Sequence, residues 1–474
     1  MLRRPLLRVP RLLYSTAEEG VKRNGRILPL TTAELAQRQP SDETLTFTGW
    51  IKRAHKTGAA TFIHAVVPRD ASFSTVSSTP SLPLGAAVRI RGKWHPSSGK
   101  QQAFELLASD VEVMATDDDP RYSQLSPDVL RKNLPIRSRS DAFAALLRLR
   151  SRLSTATHRF FEDSQFIHID TPLLTANDCE GAGETFVVKF SSPSDSPSSS
   201  SSPPFFGHDV FLSVSSQLHL EAITSGISRV YTLARAIRAE KNQSSTHMSE
   251  FSMIEAEMAF CDDLEELMSV VESYVRTVAE ELSGEGEGMC EEGKRTREDR
   301  ETLKGVYSDE TINLHSSLKM IERIPRMRHS EAIEVLKNIG HRLPPSGALS
   351  RSAELALVQH IGGPVFVTHF PSEQKPFYMK RDGKGFTESF DLLVPGVGEL
   401  VGGSLRVGTR EELETQSGGK MPEALKWYGG IRDRAKPPSG GFGIGFERLI
   451  QAIFGVKNIK DTTAFPRWFK HCQC

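Results

Sequence analysis

Between Ser140 and Gln165 apolar side chains recur at three- and four-residue steps, placing Leu146, Leu149, Leu153, Ala156 and Phe160 on one stripe. That spacing predicts an amphipathic helix, and Ser140-Asp141 offers the acceptor that caps its first turn. The run FIHIDTPLL reads as a strand stopped by Pro172. Farther along the period changes to two. VYTLARAIRAE and EFSMIEAEMAF read as strands flanking the polar loop KNQSSTHMS. Arg238 and Glu240 then share one face of the first strand, while Phe251, Met253, Glu255 and Glu257 share a face of the second, opposite Ile254 and Ala256. A guanidinium and several carboxylates therefore crowd one side of a hairpin whose reverse is apolar. Nearer the N-terminus, LTFTGWI, ATFIHAVV, AAVRIRGKW and FELLASDVEVM are short β-rich runs separated by Gly, Pro and Ser clusters. They predict a small antiparallel barrel over residues 40–115. Residues 116–140, acidic and then basic with prolines, read as a hinge, and 141–474 as a larger α+β domain.

Length and composition bound the picture without naming a partner. At 474 residues the chain is long enough for two or three cores. Lys+Arg and Asp+Glu are both 59, so any nucleic-acid contact rests on a local basic patch. Cys179, Cys261, Cys290, Cys472 and Cys474 form no CxxC pair, which argues against a disulfide scaffold and a zinc ribbon. No stretch reaches the length of a membrane-spanning helix. The first 17 residues set Arg3, Arg4, Arg8 and Arg11 among leucines with no acid before Glu18, the composition of a mitochondrial transit peptide. The expected location is the mitochondrial matrix. A serine-rich run (191–204) and a charged run (284–301) read as solvated insertions.

Several patches carry chemistry. The Arg238 fork and the His247 imidazole suit phosphates, and Phe251 suits a stacked purine. FDLLVPGVGELVGGSLRVG places Asp391, Glu399 and Arg406 around glycine turns, and a carboxylate beside a phosphate site can hold Mg²⁺. In GGFGIGFERLI, Gly441, Gly443 and Gly445 allow close approach of a ligand to the strand, and the helix that follows aims Arg448 at negative charge. The glycines match neither a Walker loop nor G-x-G-x-x-G. In the barrel, Lys52, Arg53, His55 and Lys56 with the rings of Phe62, His64 and Trp94 suit a single-stranded nucleic acid.

In order and separation these pieces resemble the three signature motifs of class II aminoacyl-tRNA synthetases: FIHIDTP, then IRAE to HMSEF, then GFGIGFERL. TANDCEGAGETF, FLSVSSQLHLE, FYMK and LLVPGVGELVGGS narrow the likeness to asparaginyl-tRNA synthetases over nearly all of residues 40–474. The resemblance implies an N-terminal OB-fold anticodon-binding barrel and an antiparallel catalytic sheet flanked by helices. It implies ATP, asparagine and tRNA(Asn) as substrates, Mg²⁺ on Glu399, and a homodimer formed by the helix at 141–165 and the strand to Pro172. By the same likeness Arg238, Glu240, His247, Phe251, Glu399, Gly443, Gly445 and Arg448 serve ATP. Arg238, Glu399 and Arg448 are its catalytic groups, and Glu184, Gln217, Glu221 and Arg406 seat the amino acid. Lys52, Arg53, Phe62 and His64 would contact tRNA. Aspartyl enzymes carry a lysine where Leu220 stands, and its absence suits a neutral amide. An aspartyl enzyme is the first alternative, disfavoured by Leu220 and by CEGAGE; Thr246, Leu405, Val407, Gly430 and Ser439 depart from the family pattern and suggest the second, a tRNA-binding paralogue without activity.

Overall fold

The computed structural model describes residues 21–23, 26–28, 35, 38–57, 60–66, 73–77, 83–97, 103–116, 125–176, 185–189, 204–286, 290–419 and 421–473. The leader, Glu184 and residues 191–203 of the serine-rich run lie outside them. The chain divides into two compact units, 1–124 and 125–474. Residues 125–140, expected in the hinge, belong to the second unit.

The first unit holds a closed five-stranded barrel of β1 (Ser41–Thr57), β2 (Ala60–Val66), β3 (Phe73–Ser77), β4 (Ala87–Pro96) and β5 (Phe104–Ala115), in the order β1-β2-β3-β5-β4. Its one parallel pair is β3 with β5. Alternate residues of the strands point inward, so Leu45, Phe47, Ile51, Val88 and Ile90 fill the interior. Trp94, expected among the nucleic-acid-facing rings, belongs to this core, and its indole N–H donates to the Arg38 carbonyl at 3.1 Å.

The second unit is built on an eight-stranded sheet of β6 (Ile167–His168), β7 (Arg229–Ile237), β8 (Glu250–Ala259), β9 (Arg326–Arg328), β10 (Val365–Thr368), β11 (Ser389–Val394), β12 (Gly398–Leu405) and β13 (Ser439–Gly445). The order is β9-β10-β11-β12-β13-β8-β7-β6. The central pairs are antiparallel, but β9 with β10 and β7 with β6 are parallel, so the sheet is mixed. FIHIDTPLL gives this sheet only the two residues of β6, and its Leu174 begins a separate short strand, Leu174–Thr175, outside it.

Helix α1 (Asp141–Asp163) forms where the apolar stripe predicted it, with the Ser140 hydroxyl accepting from the Phe143 N–H. Leu146, Leu149 and Leu153 are wholly buried, each contributing about 2 kcal/mol as an upper figure. α1 packs with α2 (Leu264–Glu281) and α3 (Glu291–Leu303). α3 corrects the reading of 284–301 as a solvated insertion. Its Asp299 is buried and accepts from Arg148 Nε at 2.9 Å and Arg152 Nη1 at 2.8 Å, both on α1. Arg300 reaches across to the Leu282 and Ile453 carbonyls. Helix α4 (Arg351–Ile361) packs against β11 and β12. The last helix, α5 (Phe446–Phe454), buries Leu449, Ile450 and Ile453 completely. Gly455 ends it with φ of 68°, where a Cβ would stand 2.4 Å from the Asp309 carbonyl oxygen. No described helix is long and apolar enough to cross a membrane.

Candidate active site

One face of the central sheet carries a cavity of about 420 Å³. Arg238, Glu240, His247, Phe251, Glu399, Gly443, Gly445 and Arg448 all line it, as do Gln217, Leu220 and Arg406. The hairpin itself is shorter than the sequence implied. β7 stops at Ile237, so Arg238 stands just past the strand and Glu240 in the loop, and the expected shared strand face for these two does not exist. The loop still brings both to the cavity.

Sheet register explains the glycines. Gly441 lies between Glu257 and Ser404 on its neighbouring strands, and Gly443 between Glu255 and Gly402. A Cβ on Gly441 would stand 1.9 Å from Glu257 Oε2 and 2.7 Å from Arg406 Nη2. One on Gly443 would meet the Met253 methyl at 2.6 Å. The side chains of the flanking strands fill the space above these two positions, which only hydrogen leaves open. Gly445 differs, since its Cβ would touch only the Arg448 stem at 3.7 Å.

At the floor, Arg406 forks onto Glu257, Nε to Oε1 at 2.9 Å and Nη2 to Oε2 at 2.8 Å, and Nη1 donates to the Ser404 hydroxyl at 2.6 Å. Both side chains are buried. Burial works against the Arg406 charge, yet Glu257 and Glu221 raise its pKa and keep it protonated. Two of its five N–H groups remain for a ligand, and the Glu257 oxygens keep unused lone pairs. Glu255, beside this pair, accepts from the Ser215 hydroxyl and from the Ser216 N–H at 2.8 Å; burial pushes its carboxyl up. Gln217 Nε2 is buried with no partner, an orphaned donor in the cavity wall.

Glu221 does not fulfil the role assigned to it. It is wholly buried, and its oxygens accept from Arg432 and Tyr428, with Lys436 at 3.3 Å. Burial opposes its charge, but Arg432, Lys436 and Arg406 together hold the carboxyl below its ordinary range. It braces the floor from beneath. Lys436 also donates to Ser439 Oγ at 2.8 Å, so the serine departing from the family pattern anchors a buried ammonium. Leu405 and Val407, two further departures, are core residues.

The opposite end is cationic. Arg448 Nη1 donates to the Glu399 carbonyl at 2.9 Å and lies 3.7 Å from its carboxylate. Glu447, one residue earlier, turns inward to Arg150 at 2.8 Å and to the Ser252 N–H, so the two do not form a surface pair. The Arg238 guanidinium sits 5.5 Å from the Phe251 ring centroid, leaving a cation and an aromatic face side by side. His247 Nδ1 contacts the Ser244 and Thr246 hydroxyls at 2.6 and 3.2 Å. Burial lowers its pKa, helped by Arg448, Arg351 and Lys460. Asp391 pairs with Lys375 at 2.8 and 2.9 Å, and burial raises its carboxyl to about 6. Glu354, on α4, accepts from the Glu399 N–H and is raised to about 7 by burial.

Sequence reasoning saw the crowd of carboxylates on β8 but did not assign Glu255 or Glu257 to the site. The period-two pattern could have found them, because both share the face of Phe251. Lys375, also in the cavity wall, had no such signal, whereas Tyr378 stands in the FYMK run that helped carry the resemblance but was given no role. In the barrel, Lys52 is half-buried and Arg53 exposed; the register sets Arg53 against His64 and His55 against Phe62. The side chains of Phe62 and His64 lie outside the described residues, as does Glu184.

The geometry can be set beside known proteins. Residues 126–469 match the family described as tRNA synthetases class II (D, K and N). The chain is 36% identical over 458 residues to an asparaginyl-tRNA synthetase of Mus musculus, covering 91% of each. It is 33% identical to the asparagine--tRNA ligase of Idiomarina loihiensis, covering 90% of this chain and 95% of that one. In fold it resembles asparaginyl-tRNA synthetase from Pyrococcus horikoshii, solved with asparaginyl-adenylate, at TM-score 0.77 and 24% identity, covering 94% and 99% of the two chains. A putative aspartyl-tRNA synthetase from Leishmania major is as similar in fold, at TM-score 0.76 and 18% identity, so the fold alone does not separate the two amino acids. The full-length matches in sequence do, and the chain belongs to the asparaginyl-tRNA synthetase family of the class II tRNA synthetases.

Proposed function

We propose that this chain ligates asparagine to tRNA(Asn) in two steps through an asparaginyl-adenylate. The observation that carries the choice of amino acid is the Arg406–Glu257 fork at the cavity floor. A primary amide needs one donor for its oxygen and one acceptor for its nitrogen, and the fork's spare N–H groups and lone pairs offer both. An aspartate side chain would meet a cation whose charge is already matched, next to a carboxylate that repels it. Leu220 in the same wall adds no compensating charge.

With the amide seated, the α-carboxylate points along the cavity toward Arg238 and Arg448. Gln217 Nε2 offers the amino acid its unused donor. ATP fits with adenine on Phe251, the α-phosphate at Arg238 and the γ-phosphate at Arg448. The carboxylate oxygen attacks the α-phosphorus, the bond to the bridging oxygen breaks, and pyrophosphate leaves. The two guanidinia stabilise the charge that develops. A hydroxyl of the terminal adenosine of tRNA then attacks the activated carbonyl and AMP departs. No protein nucleophile is required.

Glu399 and Asp391 would hold Mg²⁺. A Cβ on Gly402 would stand 3.5 Å from an oxygen of each, so two hard oxygen ligands converge over a residue with no side chain between them. Phosphate oxygens of the nucleotide would complete the ion's shell. When bound it would neutralise phosphate charge. Exposed Ile167 on the short edge strand β6 supports a homodimer through this edge. The arginine-rich leader supports import into the mitochondrial matrix, and Lys52 and Arg53 support tRNA contact by the barrel.

ATP–pyrophosphate exchange with purified protein tests the reading, using asparagine, aspartate and lysine in turn and Arg448→Ala as control. Exchange restricted to asparagine and lost in the variant is expected. Exchange with aspartate at equal rate would refute the choice of amino acid, and none at all would favour a tRNA-binding protein without activity.

A further inference from the structure

The stretch that follows α5 is buried more deeply than a connector needs to be, with Lys460, Asp461, Thr462 and Thr463 all out of solvent. The Asp461 carboxylate accepts from Arg131 Nε at 2.8 Å, Arg131 Nη2 at 3.1 Å and Arg137 Nη2 at 3.1 Å. Arg137 is itself buried, with its guanidinium 3.9 Å from the Phe143 ring centroid, and donates to the carbonyls of Lys460, Thr463 and Ala464. A desolvated guanidinium is costly to leave unpaired, and although Arg137 Nε has no partner, both Nη atoms find acceptors on Lys460, Asp461, Thr463 and Ala464, so this knot fixes the backbone of 460–464.

The same stretch grips the loop between β7 and β8. The Ile459 N–H donates to the Ser245 carbonyl at 2.8 Å, and Lys460 Nζ to the Gln243 carbonyl at 2.9 Å. This loop carries Glu240 and His247, and Ile459 lines the cavity beside them. The loop has no regular secondary structure, and residues 243–245 are exposed, so these two donations tie it to a rigid neighbour at its most open point.

We propose that Lys460 is a positioning residue for the nucleotide loop, held in place by the Arg131–Arg137–Asp461 knot. Through it, the first residues of the second unit set where Glu240 and His247 stand. None of the four side chains in this chain of contacts lines the cavity, so the effect on ATP is indirect. The inference rests on the reading that the cavity binds ATP.

The test compares wild type, Lys460→Met, Lys460→Arg and Asp461→Asn as full-length proteins, by two readouts. Lys460→Met keeps the buried stem and removes the donor. Backbone hydrogen exchange over 239–249, without ligand, is expected to rise about tenfold in Lys460→Met and in Asp461→Asn and to return toward wild type in Lys460→Arg. In ATP–pyrophosphate exchange, KM for ATP is expected to rise about tenfold while KM for asparagine stays within about twofold. Unchanged loop exchange in Lys460→Met, or equal shifts in both KM values with a lower unfolding midpoint, would overturn the proposal. The hydrogen-exchange readout needs no turnover, so an inactive wild type would count against the proposed function and not against the loop tie. An active wild type with an unaffected loop would do the reverse.

Discussion

Replacing Glu257 by glutamine keeps the shape of the cavity floor and removes one negative charge. Both Glu257 oxygens accept from Arg406, and both side chains are buried, so the pair is neutral and desolvated. For asparagine, the amide N–H loses a charged acceptor and keeps a neutral one. A hydrogen bond to a charged group exceeds a neutral one by roughly 1 kcal/mol, so kcat/KM should fall about fivefold to tenfold. For aspartate the change has the opposite sign. A carboxylate in hydrogen-bond reach of Glu257 suffers a repulsion of about 4 kcal/mol at a separation of ~4 Å and an effective dielectric of ~20. Removing that repulsion is worth up to a factor of about 10³. The variant's Arg406 then loses its hydrogen-bonded carboxylate and keeps only the more remote field of Glu221, so a substrate carboxylate would supply the missing partner. The preference for asparagine over aspartate should therefore drop by at least about 10². ATP–pyrophosphate exchange at subsaturating amino acid gives both ratios directly. An unchanged preference in a folded variant would show that the fork does not select the amide.

Gly441→Ala should abolish exchange, because the new methyl would stand 1.9 Å from Glu257 Oε2 and 2.4 Å from the Ala256 carbonyl oxygen, and the backbone on that side cannot retreat. Breaking the buried pair costs about 3–5 kcal/mol, so retention of even a tenth of wild-type rate would contradict this geometry. Asp391 supplies a pH dependence: its folded pKa, about 6, lies above the ordinary carboxyl value, so its contribution to stability is complete below about pH 4 and lost as pH rises through 6. A cation needs the deprotonated form, so Mg²⁺ without nucleotide should raise the unfolding midpoint more at pH 7 than at pH 5, and equal shifts would exclude Asp391 as a ligand. Asp299→Ala should lower stability by about 2 kcal/mol, since it strips the acceptor from Arg148 and Arg152, while exchange measured well below the unfolding midpoint stays near wild type. A loss of rate at low temperature would give α3 a part in the site.

What could be read in the sequence was local. The three-four spacing of Leu146, Leu149 and Leu153 located α1 to within two residues, because each of those positions faces the core. The period-two runs located β7 and β8, and the carboxylates on one face of β8 did gather at the cavity. Pairing across distance was not legible. Glu257 and Arg406 are 149 residues apart, and nothing in either neighbourhood marks one as the other's partner. Glu221 sits in a run that pointed to the amino acid, yet Arg432 and Tyr428 arrive from the far end of the domain and claim its oxygens. The charged run at 284–301 failed for a related reason. Its composition is that of a solvated segment, but one carboxylate, Asp299, meets two arginines on α1 and turns the run into a packed helix. β6 is shorter than its apolar run implied because only Ile167 and His168 pair with β7 before Pro172.

The most direct measurement is charging of unfractionated tRNA with labelled asparagine and, separately, labelled aspartate, by the purified protein in the presence of ATP and Mg²⁺. Acid-precipitable asparagine that is released by mild base, with aspartate at background, is the predicted result. Aspartate incorporation at a comparable rate, or no incorporation of asparagine by a protein that still binds tRNA, would contradict it.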